Sequence, residues 1–456
     1  MGPIDTGDTA WVLASAALVL FMTPGLALFY GGLVRSKNVL ATMMHSVAAI
    51  GIVSVLWILI GYTLAFGDDI GLVIGGLDFV LFRGVGAEPH PLAPTVPHTA
   101  FAVFQMMFAI ITPALIAGAF AERVRFGGYL LFIGSWSVLV YAPVAHWVWG
   151  GGFLGAAGVG ALDFAGGTVV HIAAGSAALA AAIFVGKRRG YPGTAFVPHN
   201  VPMVMLGAAI LWFGWFGFNA GSALGAGGLA ASAFVATHLG AVGAGIGWAV
   251  LERIRYGRCT ALGVATGAVA GLVGITPAAG FVAPVPGLTI GLVAGAVCFI
   301  AVELKARLRY DDSLDAVGVH LVGGIVGALL TGMLASLAVN ELGVDGSLAQ
   351  VGRQAVAVAV TLVFSFAATW AILKVVDVLV GFRATETAED VGIDLAEHGE
   401  VAYTWRERSR AQGRAPDGMT DAELTALREQ LVLEATERVL EAVRIDPSPA
   451  RSDDRG

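Results

Sequence analysis

The chain has 456 residues, of which 57% are hydrophobic and only 13% charged, with 63 glycines and a formal net charge of −7. Soluble domains carry roughly a quarter of charged residues, so a chain of this composition lacks the polar surface needed to cover its core in water. An ordinary soluble domain is therefore excluded, and no nucleic-acid partner is expected. The two distant cysteines, Cys259 and Cys298, fit no disulfide scaffold and no metal or redox spacing.

Residues 1–9 hold Asp5 and Asp8 but no basic residue, so a cleaved signal peptide is not expected and the first apolar run reads as a span. A spanning helix needs about 20 apolar residues. Eleven runs qualify, at 10–34, 40–66, 98–121, 126–149, 164–186, 201–222, 229–252, 260–276, 287–307, 312–338 and 352–380, the eighth being short and glycine-rich. Connections after odd-numbered runs hold Arg35, Lys37, Arg123, Arg125, Lys187, Arg188, Arg189, Arg253, Arg255, Arg258, Lys305, Arg307 and Arg309. Connections after even-numbered runs hold only Arg83 and, at the start of the last run, Arg353. Basic residues stay on the cytoplasmic side of a membrane. An all-α polytopic membrane protein is thus expected, with its N-terminus outside and its C-terminus in the cytoplasm.

Span five contains Val170-His171-Ile172-Ala173-Ala174-Gly175 and span ten contains Val319-His320-Leu321-Val322-Gly323-Gly324, each preceded by an aspartate, Asp163 and Asp315. The two spans cross in opposite directions, so two five-helix halves form an inverted repeat, followed by a final helix. Such folds place their site at the midplane between the halves. A second echo, Glu122-Arg-Val-Arg-Phe-Gly against Glu252-Arg-Ile-Arg-Tyr-Gly, joins spans three and seven, which are not repeat mates. We read both copies as cytoplasmic helix ends.

His171 and His320 are ionisable groups inside apolar spans, where such residues face the bundle interior. A lone histidine there is more simply a core residue bonded to a backbone carbonyl. Matched repeat positions instead bring both near one axis, where a neutral pair offers a donor and an acceptor to a small polar solute. Haem or metal ligation is the rival use of two imidazoles. Asp163, before span five, suits a helix N-cap and also a fixed negative charge supporting a cation site. Trp149, Phe108, Phe218 and Ser222 fall near the outer span ends. Each aromatic alone fits an interfacial belt. Together they could cage a weakly hydrated cation, with the phenylalanines below forming a constriction.

After residue 380 the chain turns polar. Residues 406–419 read as a linker, and Thr420-Asp421-Ala422-Glu423 opens a capping box. Leu424, Leu427, Leu431, Ala435, Val439 and Ala442 then share one face of an amphipathic helix. Residues 447–456 are expected to be disordered. The domains expected are a transmembrane domain over 1–380, a polar cytoplasmic tail over 381–405, and the linker with its helix over 406–456.

From about Asp8 to Trp405 the chain resembles the ammonium transporter family, which includes methylammonium permeases and Rhesus proteins. The resemblance rests on four motifs: Phe21-Met-Thr-Pro-Gly-Leu-Ala-Leu-Phe-Tyr-Gly-Gly-Leu, Ala161-Leu-Asp-Phe-Ala-Gly-Gly-Thr-Val-Val-His171, Trp215-Phe-Gly-Phe-Asn-Ala-Gly-Ser222 and Asp311-Asp-Ser-Leu-Asp-Ala-Val-Gly-Val-His320. It implies an eleven-helix inverted repeat in the cell (inner) membrane, assembled as a homotrimer with one pore per subunit. It implies an outer ammonium site of Phe108, Trp149 and Ser222 supported by Asp163, a gate of Phe108 and Phe218, and a pore past His171 and His320. Trp149 favours the ammonium transporter branch over the Rhesus branch. Gly381-Phe-Arg383 and Asp394-Leu-Ala-Glu-His-Gly-Glu-Val-Ala-Tyr403 are similar to the tail that PII-type signal proteins engage, although here about 50 residues follow Tyr403. The expected function is transport of ammonium or methylammonium into the cytoplasm, with no enzymatic step, cofactor or metal. A passive gas channel for ammonia or carbon dioxide, and an ammonium sensor signalling through the tail, are the alternatives.

Overall fold

The computed structural model describes residues 3–403 together with Ala422, Ala426 and Gln430. The chain divides into a unit of residues 1–400 and a second of residues 401–456. In the first unit the apolar runs fold as α1 (Thr6–Leu33), α2 (Val39–Phe66), α3 (His98–Phe120), α4 (Phe126–Val148), α5 (Gly167–Val185), α6 (Val201–Ala223), α7 (Gly228–Tyr256), α8 (Ala261–Ile275), α9 (Pro284–Leu308), α10 (Val317–Leu334) and α11 (Leu348–Val380). Ten of these are long and apolar enough to cross a bilayer; α8 is a shorter apolar helix. It stops where Pro277 follows its capping residue Thr276.

The five-helix repeat is visible in which helices touch. Contacts of α1 with α2 and α3, α2 with α4, and α3 with α5 recur as α6 with α7 and α8, α7 with α9, and α8 with α10. The mates α1 and α6 pack along each other, and α5 meets α10 across the centre. That pattern is what a pseudo-two-fold axis between the halves requires. Helix α11 closes the bundle against α4, α5 and α10.

Several expectations need correction. Span five begins at Gly167 and span ten at Ala316–Val317, so residues 163–166 and 312–315 are capping loops rather than helix. The aspartate equivalent to Asp163 is Asp312, not Asp315. Asp312 is fully buried and accepts from the N–H groups of Ala316 and Val317 at 3.1 and 2.8 Å. Asp315 instead pairs with Lys305 at 2.5 Å. Between α2 and α3 the chain adds two hairpins not anticipated from the sequence: β1 (Asp69–Ile70) with β2 (Ile74–Gly75), and β3 (Pro89–His90) with β4 (Ala93–Pro97).

The basic connections are also less solvated than their sequence suggests. Arg123 is fully buried, donating to Asp311 at 3.0 Å and to Ser313 at 2.8 Å, while Arg188 grips the same carboxylate through Nε and Nη2 at 2.9 and 2.7 Å. Glu122, turned inward by a left-handed φ of 73°, pairs with Arg35 at 3.0 Å and Arg188 at 3.6 Å. Burial pushes Glu122 and Asp311 toward the neutral form, but their arginines outweigh it and hold both carboxyls below the usual range. Glu252, in the echoing segment, stays within α7 and accepts from Thr260, so the two echoes play different parts.

Beyond α11 the tail folds back as α12 (Glu386–Val391) and α13 (Ile393–His398). Phe382 is buried against Phe120 and Phe132. The expected linker and amphipathic helix of residues 406–456 lie outside the described residues except for Ala422, Ala426 and Gln430, which are helical and exposed.

Candidate functional site

Both histidines sit on π-turns that open the α5 and α10 helices, Gly167–Ile172 and Val317–Leu321. A π-turn carries one extra residue per turn, and such turns recur at functional sites. On α5 the N–H of His171 donates to the carbonyl of Gly166 five residues back, at 3.0 Å. Asp163 secures this start, its two carboxylate oxygens accepting from Gly166, Gly167, Thr168 and Val169 at 2.7–3.1 Å. Four charge-assisted bonds to one carboxylate make a strong N-terminal anchor.

The helices then cross at very short range because each has a glycine one turn past its histidine. A Cβ on Gly175 would lie 2.3 Å from the backbone nitrogen of Leu321, and one on Gly324 would lie 3.2 Å from the Cβ of His171. Small residues at such crossings let backbones approach. The result is a buried imidazole pair, with Nδ1 atoms 3.3 Å apart and ring planes 14° from parallel. One Nδ1 must donate and the other accept. That separation is a hydrogen bond. It leaves no room for a porphyrin held axially between the rings.

A file of rings leads away from this pair. His171 stacks on Trp215 at 5.6 Å and on Phe218 at 6.1 Å. Phe218 lies 4.2 Å from Phe108, and Phe108 meets Trp149 edge-on at 6.0 Å. Phe108 and Phe218 are each 1% exposed, whereas Trp149 and Ser222 are half-buried. Trp149 Nε1 donates to the backbone carbonyl of Asp163 at 2.9 Å, so Asp163 fixes both the indole and the α5 start without lying in the ring file. Ser222 Oγ donates to the Phe218 carbonyl at 2.9 Å, which leaves its lone pairs as acceptors.

The structure thus joins Trp149, Phe108, Phe218, His171 and His320 in one continuous file of rings. Ser222 lies one turn beyond Phe218, and Asp163 lies behind the file. Sequence reasoning missed Trp215, although it opens one of the quoted motifs; its Nε1 donates to Thr276 at 2.9 Å, just where α8 ends. On the far side of the pair a cavity of about 330 Å³ runs from Phe218 and the two histidines past Tyr30 to Tyr191, Arg188 and Lys305.

With this geometry in place, comparison with known proteins decides the family. The family model described as the Ammonium Transporter Family matches residues 10–403. The chain belongs to the ammonium transporter family. It is 52% identical over 405 residues to an ammonium transporter of Bacillus subtilis (strain 168), covering 88% of this chain and 99% of that one. Among solved structures it is similar to Saccharomyces cerevisiae Mep2, with a TM-score of 0.81 and 36% identity over 92% of this chain and 95% of that one. It is also similar to a protein described as a sensor Amt protein, with a TM-score of 0.79 and 31% identity over 86% of this chain and 98% of that one. The protein is therefore a multi-pass protein of the cell membrane, and its curated relatives are transporters rather than enzymes.

Proposed function

We propose that this family member carries ammonium nitrogen into the cytoplasm along the file of rings and past the histidine pair, with the basic helix ends on the cytoplasmic side. The observation that carries the reading is the Nδ1–Nδ1 contact of 3.3 Å at the meeting point of the two repeat halves. Ammonium is recruited against Trp149 and Phe108, where aromatic faces attract a cation more strongly as water is excluded, and Ser222 offers an oxygen. A hydrated ion meets a high barrier between the packed rings of Phe108 and Phe218. The proton is therefore lost before them, and ammonia passes. Sharing one Nδ1 proton leaves one ring with a donor at Nε2 and the other with an acceptor there. The pair so matches ammonia, which both donates and accepts. No covalent step is needed, and no cofactor or metal is proposed. Asp163 acts from behind, holding Trp149 and the α5 start.

The protein is further proposed to assemble as a homotrimer and to take a PII-type signal protein at the cytoplasmic mouth. The direct test reconstitutes the full chain in vesicles and follows methylammonium uptake together with current after an ammonium jump. Saturable uptake inhibited by ammonium supports the reading. An unsaturable flux without current, equal for ammonia and carbon dioxide, would favour a passive gas channel. The sensor reading gains support from the similar sensor Amt protein and from the long tail. Removing residues 406–456 should then abolish a signalling output while uptake persists.

A further inference from the structure

A second pair of histidines lies away from the ring file, where the tail meets the body. His45, in the second turn of α2, is 2% exposed, and neither of its ring nitrogens has a hydrogen-bond partner. Its ring packs on Tyr129 at 4.2 Å, on Phe120 at 6.2 Å and parallel to Phe126 at 6.3 Å. On the other side Phe126 meets the ring of His398, the last residue of α13, at 4.8 Å. The Nε2 of His398 is likewise buried without a partner, and His398 lies within electrostatic reach of His45. Two imidazoles therefore share an aromatic pocket closed by a six-residue tail helix.

The hydrogen bonds that seat α13 spare both imidazoles. Asp394 caps the start of α2 by accepting from Leu40 and Ala41 at 3.0 and 2.8 Å, Asn38 accepts from Ile393 at 2.8 Å, and Glu397 accepts from Phe126 at 3.0 Å. Arg383 ties the same tail to the end of α5, donating to the carbonyls of Val185 and Lys187 at 2.9 Å. The seat thus links α2 to the helix that carries His171.

We propose that α13 is an acid-released latch, seated while His45 is neutral and lifted when that ring, packed beside His398, takes up a proton. A neutral imidazole rests against aromatic faces at modest cost, but an imidazolium needs acceptors for two N–H groups. Around His45 the facing side chains are Phe120, Phe126 and Tyr129, and the hydroxyl of Tyr129 is spent donating to the His45 carbonyl. A second charge in one pocket would also repel the first. The charged and titratable groups at the pair are Tyr129 of α4, and Asp394 and Glu397 of α13. Both oxygens of Asp394 and one of Glu397 accept from backbone N–H groups, and Asp394 also lies within electrostatic reach of His398. Asp394 works in the opposite sense. Burial pushes its carboxyl above the usual range, so its own contribution favours the seated helix as pH falls, in the carboxyl range well below that of histidine.

The test places a nitroxide on a cysteine at exposed Glu400, in full-length protein with Cys259→Ser, in lipid nanodiscs. Label mobility is read from pH 8 to 5. The latch predicts an immobile label at pH 8 and a mobile fraction that rises only as pH falls below the range of a free imidazole, about 6.5. His45→Phe with His398→Phe should keep the label immobile across the range. If the double variant does not reach the membrane, His45→Gln, which cannot take up a proton, carries the comparison. A label whose mobility is unchanged from pH 8 to 5 in the native-histidine protein overturns the latch, as does an identical transition in the histidine variants.

Discussion

At the residue scale, the mouth and the pair ask different things of their side chains. Trp149 is held edge-on to Phe108 by its own bond to the Asp163 carbonyl, so the indole face is fixed before any solute arrives. A cation over a fixed aromatic face gains about 0.5–2 kcal/mol, depending on how dry the site is. Trp149→Leu should therefore raise the apparent Km for methylammonium about 2- to 30-fold, with a smaller effect on the maximal rate. A larger fall in maximal rate with unchanged Km would remove Trp149 from the recruitment step. Asp163→Ala should do more, because it frees the four backbone donors at the start of α5, although the backbone carbonyl that holds the indole remains. We expect loss of uptake together with a lower melting temperature, read by fluorescence-detected size exclusion.

At the element scale, the crossing of α5 and α10 decides whether the imidazoles meet at all. Gly175→Ala forces a methyl group to 2.3 Å from the Leu321 nitrogen. Such overpacking costs about 1–3 kcal/mol, and the two rings should separate. The control is Gly51→Ala on α2, where an added Cβ meets nothing within 4 Å; helix propensity makes that change neutral or mildly stabilising. Equal effects of the two substitutions on melting temperature and uptake would contradict the crossing argument. Much of this element was legible in the chain: the matched segments around His171 and His320 announced the pair, and the glycine four residues past each histidine could have been read as its close approach. The capping aspartate could also have been read correctly, since Asp163 and Asp312 each stand eight residues before their histidine, whereas Asp315 stands five. The π-turns were not legible. One extra residue per turn leaves no mark in an apolar pattern that is hydrophobic all round. Nor did the sequence separate Trp215 from belt tryptophans, because what distinguishes it is its stacking on His171.

At the scale of the whole molecule, eleven apolar runs and segregated basic residues were enough to anticipate a repeat-built bundle. They did not show that Arg123 and Arg188 leave solvent to grip Asp311. A charge run in a connection looks the same whether it is solvated or buried, and only long-range partners such as Asp311 tell them apart. Breaking one side of a buried ion cluster leaves uncompensated charge, at about 3–5 kcal/mol. Asp311→Asn should destabilise by that order, in a thermal melt of the detergent-solubilised protein. The sign of its pH dependence follows from the lowered carboxyls of Glu122 and Asp311. Their contribution is complete above the ordinary carboxyl range near pH 4 and is lost as pH falls through their lowered values. Melting temperature should therefore hold its cluster contribution from pH 8 to 5 and lose it only below about 4.

The account depends most on the ring file and the histidine pair being the path of the solute. Methylammonium uptake by vesicles holding equal amounts of folded native protein and of the His171→Ala, His320→Ala double variant tests this most directly, with current after an ammonium jump recorded on the same preparations. Removing both imidazoles should abolish uptake or convert it to an ungated current with a changed pH dependence. Native rates with a native pH profile in the double variant would contradict the pathway.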